Sequence, residues 1–281
     1  MHDPVDAAQL TGLVKAISEA VHGVLPSAQV TFASSILGVH TRTQQYDLVG
    51  ISKVVDYFVV MCYDADKNLT APDFSKANMA LPLLRKGVCQ YEALGIQASR
   101  LILGFPWFAY SWKCSENTAT GRQDCSADHV LCHCTMVYGL ANNSQPHYVG
   151  NGTHPGDIRD CSNDCRGYTV PGDTPCLTVR GIQDAGIIGE EQWDSASSTP
   201  WLRWQGGDPP PTQFELWYDN PRSLALKAEY AWSAGVGGVS MWTANALDYN
   251  NASQVAAFWG ALTAGMPAAR APPAGQDVAT A

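Results

Sequence analysis

Basic residues are few in this sequence and nowhere gathered into a patch. Lys and Arg total 17 against 26 Asp and Glu, giving a net charge of -9 and a pI near 5.1. A surface that neutralises phosphates concentrates positive charge, so nucleic acid is not an expected partner. Long apolar runs are lacking too. None approaches the roughly eighteen residues that a bilayer-crossing helix needs, so no membrane partner is expected either. The opening residues Met1-His2-Asp3-Pro4 have neither the basic start nor the apolar centre of a secretory leader.

Cysteine, by contrast, is abundant. Nine occur in 281 residues, and seven of them fall between Cys114 and Cys176. Asn68-Leu69-Thr70, Asn142-Asn143-Ser144, Asn151-Gly152-Thr153 and Asn251-Ala252-Ser253 match the acceptor pattern for N-glycosylation. Dense cysteine with such sequons favours an oxidising compartment. A secreted chain that opens without a leader is expected to have its natural start upstream of Met1, or to use Met1 as an internal methionine. The cysteine-rich stretch has two readings. Cys125, His129, Cys132, His133, Cys134, Cys161 and Cys165 are zinc-ligand types, but their spacing fits no standard two-pair pattern. Structural disulfides are the expected use, and an odd total leaves at least one thiol free or paired elsewhere. Cys62, inside an apolar strand pattern, is the expected free one.

Length and a 46% hydrophobic content suit one large domain, or a domain with insertions. Leu10, Leu13, Val14, Ile17 and Val21 predict an amphipathic helix over 6–24, closed by Gly23 and Pro26. Strands are predicted at 29–34, 54–61 and 100–106, with a weaker helix over 77–94 interrupted early by Pro82. From 109 to 212 the pattern dissolves into Gly, Pro, Asn, Asp and Cys. That length exceeds an ordinary connection and predicts a cross-linked insertion. A strand over 214–218 then precedes a helix with Leu224, Ala228, Ala231 and Trp232 on its apolar side, ended by Gly235. Gly238–Trp242 is the last strand and 253–264 the last helix, and 265–281 is a Pro/Ala tail expected to be disordered. Alternating apolar strands and helices imply a parallel α/β sheet. Tyr63, Asp64, Trp107 and Trp242 fall at the C-terminal ends of its strands, where both barrels and open sheets place ligands. Periodicity alone does not choose between those two architectures.

Four strings make that choice. Met61-Cys62-Tyr63-Asp64 resembles the Met-x-Tyr-Asp motif that ends the sixth strand in glycoside hydrolase family 18. Gly104-Phe105-Pro106-Trp107-Phe108 is similar to that family's seventh strand, and Gly237-Gly238-Val239-Ser240-Met241-Trp242 to its eighth. Trp217-Tyr218-Asp219-Asn220-Pro221-Arg222-Ser223-Leu224 resembles the segment entering the preceding helix, and with 242–249 points to the lysosomal, chitobiase-like branch. The match runs over 5–110 and 190–262. The resemblance implies the C-terminal half, strands five to eight, of a TIM (β/α)8 barrel. Residues 1–264 would form a partial catalytic domain that includes the insertion at 109–212. The family's acid-bearing string, Asp-Gly-x-Asp-x-Asp-x-Glu, does not occur in this sequence; by position it is expected upstream of Met1.

What the resemblance implies for chemistry is substrate-assisted retaining hydrolysis of N-acetylglucosamine oligosaccharides, chitin or the chitobiose core of N-glycans. Tyr63 would donate its hydroxyl to the acetamido oxygen, and Asp64 would support the developing positive charge. Each has a plainer reading as a solvated or turn-capping group at a strand end. Trp242 would floor the sugar pocket with its indole face. Trp107 and Tyr110 are wall candidates, and Asp219 and Asn220 either bind hydroxyls or only build the Asp-Asn-Pro turn. No metal, cofactor or obligate protein partner is implied. Without the acid Glu, this chain alone is expected to be inactive, and as a half-barrel to lack a stable monomeric fold. The alternative function is a lectin-like binder of the same sugars, lysosomal or extracellular in either case.

Overall fold

The computed structural model describes residues 4–36, 46–64, 73–108, 110–114, 116–117, 122–123, 133–136, 190–206, 212–242, 244, 247 and 249–268. Four strands, β1 (Thr31–Ser35), β2 (Tyr57–Met61), β4 (Leu101–Pro106) and β12 (Gly238–Trp242), form one sheet in the order β1-β2-β4-β12. Every pairing in it is parallel: Ala33 faces Val59, Val60 faces Leu103, and Ser240 faces Gly104. Four of the five strands read from the sequence are these, in chain order and neighbouring one another as expected; the strand read at 214–218 joins a different sheet.

Period-two alternation gives the sheet two unlike faces. Phe58, Val60, Cys62, Leu101, Leu103, Phe105 and Trp107 are fully buried on one side, under the helices. Those helices are α3 (Leu81–Ala93), α4 (Pro221–Ser233) and α5 (Ala252–Leu262), while the short α2 (Leu48–Ser52) lies between β1 and β2 in the chain. Residues of opposite parity, such as Tyr57, Val59, Met61 and Tyr63, are only half-buried. The apolar residues read on the helix before the last strand, Leu224, Ala228, Ala231 and Trp232, are all buried, and Gly235 ends that helix with a φ of 74°. An L side chain is strained there and glycine is not.

Three expectations change. Pro82 starts α3 rather than interrupting it, because a first-turn proline forfeits no helical hydrogen bond. Helix α1 (Pro4–Val24) forms as predicted, but Leu13 and Ile17 on its apolar stripe remain 58% and 48% exposed. Val14 packs on the core, and His22 Nε2 lies 3.1 Å from Ala28 O and 3.2 Å from Asp56 Oδ2. Third, the stretch read as patternless is partly sheet. Strands β3 (Asp73–Phe74), β5 (Tyr110–Cys114), β8 (His133–Met136), β9 (Gln192–Asp194), β10 (Thr199–Gly206) and β11 (Thr212–Trp217) pair in the order β3-β8-β5-β11-β10-β9. Among the described residues the pairings of this second sheet are antiparallel. It thus takes in a strand before α3 and runs on to Trp217, beyond the 109–212 read from composition. A short pair, β6 (Glu116–Asn117) with β7 (Arg122–Gln123), stands apart.

Cys62 is free and buried as expected, Cys89 is free and exposed, and Cys114 is disulfide-bonded. Cys125, Cys132, Cys161, Cys165 and Cys176 lie outside the described residues, as do the sequons at Asn68, Asn142 and Asn151 and the tail beyond residue 268. Among the described residues no helix is long and apolar enough to cross a membrane, and no group of three potential metal ligands gathers.

Candidate functional site

Tyr63 follows β2 on the sheet face that the helices do not cover. A Cβ placed on Gly104 would lie 3.2 Å from Ser240 Oγ and 4.0 Å from Tyr63 Cε1. Tyr63, Gly104 and Ser240 therefore share one face, and the glycine leaves the space between tyrosine and serine open. Trp242 is two residues beyond Ser240 and so projects from the same face; it is 46% exposed. Its carbonyl accepts the Trp107 N–H at 2.8 Å, which closes the ends of β4 and β12 together. Phe108 meets the Tyr63 ring edge-on, with centroids 5.7 Å apart. Tyr63 and Trp242 are thus two aromatic side chains on one open surface at the C-terminal ends of parallel strands.

Partial burial, with the negative charge of Asp64 in support, pushes the Tyr63 phenol up to about 12. Its hydroxyl is a proton donor at neutral pH, as any tyrosine's is, and remains one well into the alkaline range. Asp64 takes a left-handed backbone, φ 58°, which is uncommon outside glycine, asparagine and aspartate. The buried Asn78 holds it there, with Oδ1 accepting the Asp64 N–H at 2.9 Å. Beneath them, burial raises the Cys62 thiol far above its ordinary value, against the opposing charge of Lys227, so Cys62 is an inert packing group.

Other sequence candidates sit elsewhere. Trp107 is fully buried among Phe258 and Trp259, at centroid distances of 5.7 and 5.1 Å, and has no face for a sugar. The reason is parity: it follows Leu101, Leu103 and Phe105 on the helix-covered side. Asp219 is 2% exposed, and its carboxylate takes Lys227 Nζ at 2.5 and 2.7 Å and Ser223 Oγ at 2.6 Å. Asn220 caps α4, accepting the Ser223 N–H at 3.0 Å while its amide donates to Glu191 Oε1. Of the two readings kept for this pair, the turn-building one describes what their side chains do. Tyr110 lies in β5, and its side chain is outside the described residues.

Sequence reasoning passed over Asn78, Lys227 and the neighbours of Glu215. A signal existed for Lys227: it interrupts the apolar face formed by Leu224, Ala228 and Ala231. Glu215 shares a strand face with Trp217, a position unsuited to a solvated carboxylate. Nothing marked Asn78, since its partner is a backbone amide fourteen residues away.

The profile of Glycosyl hydrolases family 18 matches residues 2–246. The chain belongs to that family. It is 29% identical to di-N-acetylchitobiase of Mus musculus over 257 residues, covering 90% of this chain and 61% of that protein. It therefore spans about three-fifths of the length of the curated relatives it matches. Among solved structures it is similar to a mutant of the class V chitinase of Nicotiana tobaccum in complex with NAG4. There the TM-score is 0.65 at 14% identity, over 94% of this chain and 66% of that one. A chitinase-like agglutinin of Robinia pseudoacacia superposes with a TM-score of 0.59 at 16% identity, over 92% and 64%. Family membership and these likenesses make the fold an α/β, TIM-barrel-like one, and the four parallel strands are the part of it that carries Tyr63 and Trp242.

Proposed function

We propose that this chain carries the acetamido-binding side of a chitobiase-like, substrate-assisted retaining glycosidase site for N-acetylglucosamine oligosaccharides. In this reading the sheet is the last four strands of an eight-stranded barrel, and its open face is the barrel's interior. The supporting observation is the shared face of Tyr63 and Trp242. A pyranose lying on the Trp242 indole presents its acetamido arm toward a phenol that stays protonated. Tyr63 donates that proton in a hydrogen bond to the acetamido oxygen, which orients the oxygen for attack on the anomeric carbon. The attack leaves positive charge on the acetamido group, and the Asp64 carboxylate stabilises it. The leaving oxygen needs a proton of its own, and general-acid catalysis contributes about 10²–10⁴-fold. Glu190, Glu191 and Glu215 do not stand in for the acid: Glu191 accepts from Tyr218 and Asn220, and Glu215 is wholly buried.

In this reading the residues 1–281 supply the groups that hold and orient the sugar, and the group that protonates the leaving oxygen is not among them. The same two side chains suit a lectin-like binder of these sugars, which needs no acid. Disulfides across the remaining cysteines, glycans on the sequons and a lysosomal or extracellular location belong with this proposal.

Titration of the chain with triacetylchitotriose, followed by tryptophan fluorescence, tests it. Saturable binding is expected, weakened at least about tenfold, or roughly 1.4 kcal/mol, by Trp242→Ala and less by Tyr63→Phe. A fluorogenic chitobioside should remain intact. Binding indifferent to Trp242→Ala overturns the site, and turnover by the chain overturns the assignment of a missing acid.

A further inference from the structure

The Glu215 carboxylate is 0% exposed, yet it serves no part of the proposed chemistry. Four donors from three segments converge on it. Arg203 reaches Oε1 through Nε at 3.0 Å and through a second guanidinium nitrogen. Trp217 Nε1 donates to Oε2 at 3.3 Å, and the Ser75 hydroxyl donates to Oε2 as well. Arg203 and Trp217 belong to the second sheet, and Glu215 and Arg203 are cross-strand partners in it. Ser75 does not. It begins the segment that joins β3 to α3, and it too is fully buried.

That segment has a second tie to the second sheet and one to the site. Its far end is fixed where the Leu81 N–H donates to Ser197 O at 2.9 Å, in the turn between β9 and β10. Midway along it stands Asn78, 5% exposed, whose Oδ1 accepts the Asp64 N–H. A buried charge is a poor means of simple packing, since apolar residues of like volume usually do as well. Its distinctive property is direction. A carboxylate with all its partners in place fixes the segments that supply them.

We infer that Glu215 is a positioning residue: it clamps Ser75, so that the segment 75–81 holds Asn78 against the left-handed turn at Asp64. The second sheet thereby sets the backbone of a site residue it does not contain. The consequence for sugar binding rests on the function proposed above, whereas the mechanical link does not.

The experiment uses the full chain labelled with 15N-aspartate and reads hydrogen exchange at the Asp64 amide, with the Asp56 amide as internal reference. Asn78→Ala removes the acceptor directly and is expected to speed Asp64 exchange at least about tenfold. Glu215→Gln, nearly isosteric, and Ser75→Ala, which changes no charge, are expected to speed it several-fold while Asp56 stays unchanged. Ser75→Thr, which keeps the hydroxyl, is expected to restore protection. Asp64 exchange that responds to Asn78→Ala but not to Glu215→Gln or Ser75→Ala overturns the inference. So does a rise of equal size at Asp56, which means general loosening. Triacetylchitotriose affinity, measured on the same samples, separates the two proposals. A parent chain that binds no sugar, but whose Asp64 amide answers to Glu215→Gln, refutes the function and supports the clamp.

Discussion

The two faces of the parallel sheet have the same strands and opposite chemistry. Under the helices, every inward position from Phe58 to Trp107 is at or near zero exposure, and the layer even encloses an ion pair, Lys227 with Asp219. On the other face, tyrosine, serine and glycine stand among aliphatics, and Trp242 is nearly half exposed. Burial decides the first set, because each large apolar side chain there contributes roughly 1.5–3 kcal/mol. It does not decide the second. The residues of that second face are the ones on which the proposed function draws.

The largest effect expected on the covered side comes from Lys227→Met. It strands the Asp219 carboxylate without a counter-charge and should cost about 3–5 kcal/mol in urea unfolding. A loss well below that range would show that water reaches the pair. Next comes a matched pair of truncations. Phe105→Ala should cost about 3–5 kcal/mol, while Trp242→Ala, on the opposite face, should stay within about 1 kcal/mol and act on sugar affinity instead. Equal losses from the two would erase the distinction between the faces.

Asn220→Ala sharpens it further. Losing the α4 cap should cost about 1 kcal/mol and leave triacetylchitotriose affinity unchanged, which separates a turn-builder from a sugar ligand. The smallest effect concerns pH. Because the folded Tyr63 phenol, at about 12, lies above the ordinary value of about 10, the fold favours its protonated form. That contribution is whole below about pH 10 and fades as pH climbs toward 12. Ultraviolet difference spectra of the chain against Tyr63→Phe should accordingly show no phenolate from Tyr63 at about pH 10. An ionisation there would return the phenol to its ordinary range and show that burial does not shift it.

Strand order, the α4 apolar face and the inert Cys62 were legible because each rests on a local pattern that tertiary structure then obeyed. Trp107, named as a wall candidate from its place at a strand end, lies on the covered face. It continues the parity of Leu101, Leu103 and Phe105, whereas Trp242 is the register partner of Pro106, one residue off that parity. A strand end places a side chain near the ligand-binding rim, but parity along the strand sets which face it joins. The second sheet was illegible for another reason. Its strands are mostly two to six residues long and interleave segments far apart in sequence. No local period announces such pairing. Asn78 and the Glu215 cluster share that limitation, since their meaning lies in partners that only the folded chain brings near.

The pairing of β5 with β11 bears on how the chain finds its fold. Leu103 and Val239 are neighbours in the finished sheet, yet well over a hundred residues of chain separate them. Tyr110 and Trp217 are also neighbours, and they stand near the two ends of that excursion. Once they are joined, the span left to close shrinks to a few residues before Tyr110 and one helix after Trp217. Loop-closure entropy changes by only about 0.6 kcal/mol per doubling of length, so this shortcut lowers the closing cost by about 1 kcal/mol. The neck of the excursion is thus shut by β5 and β11 themselves, whatever length of chain lies beyond them. Strands β4 and β12 then dock as though little had ever come between them.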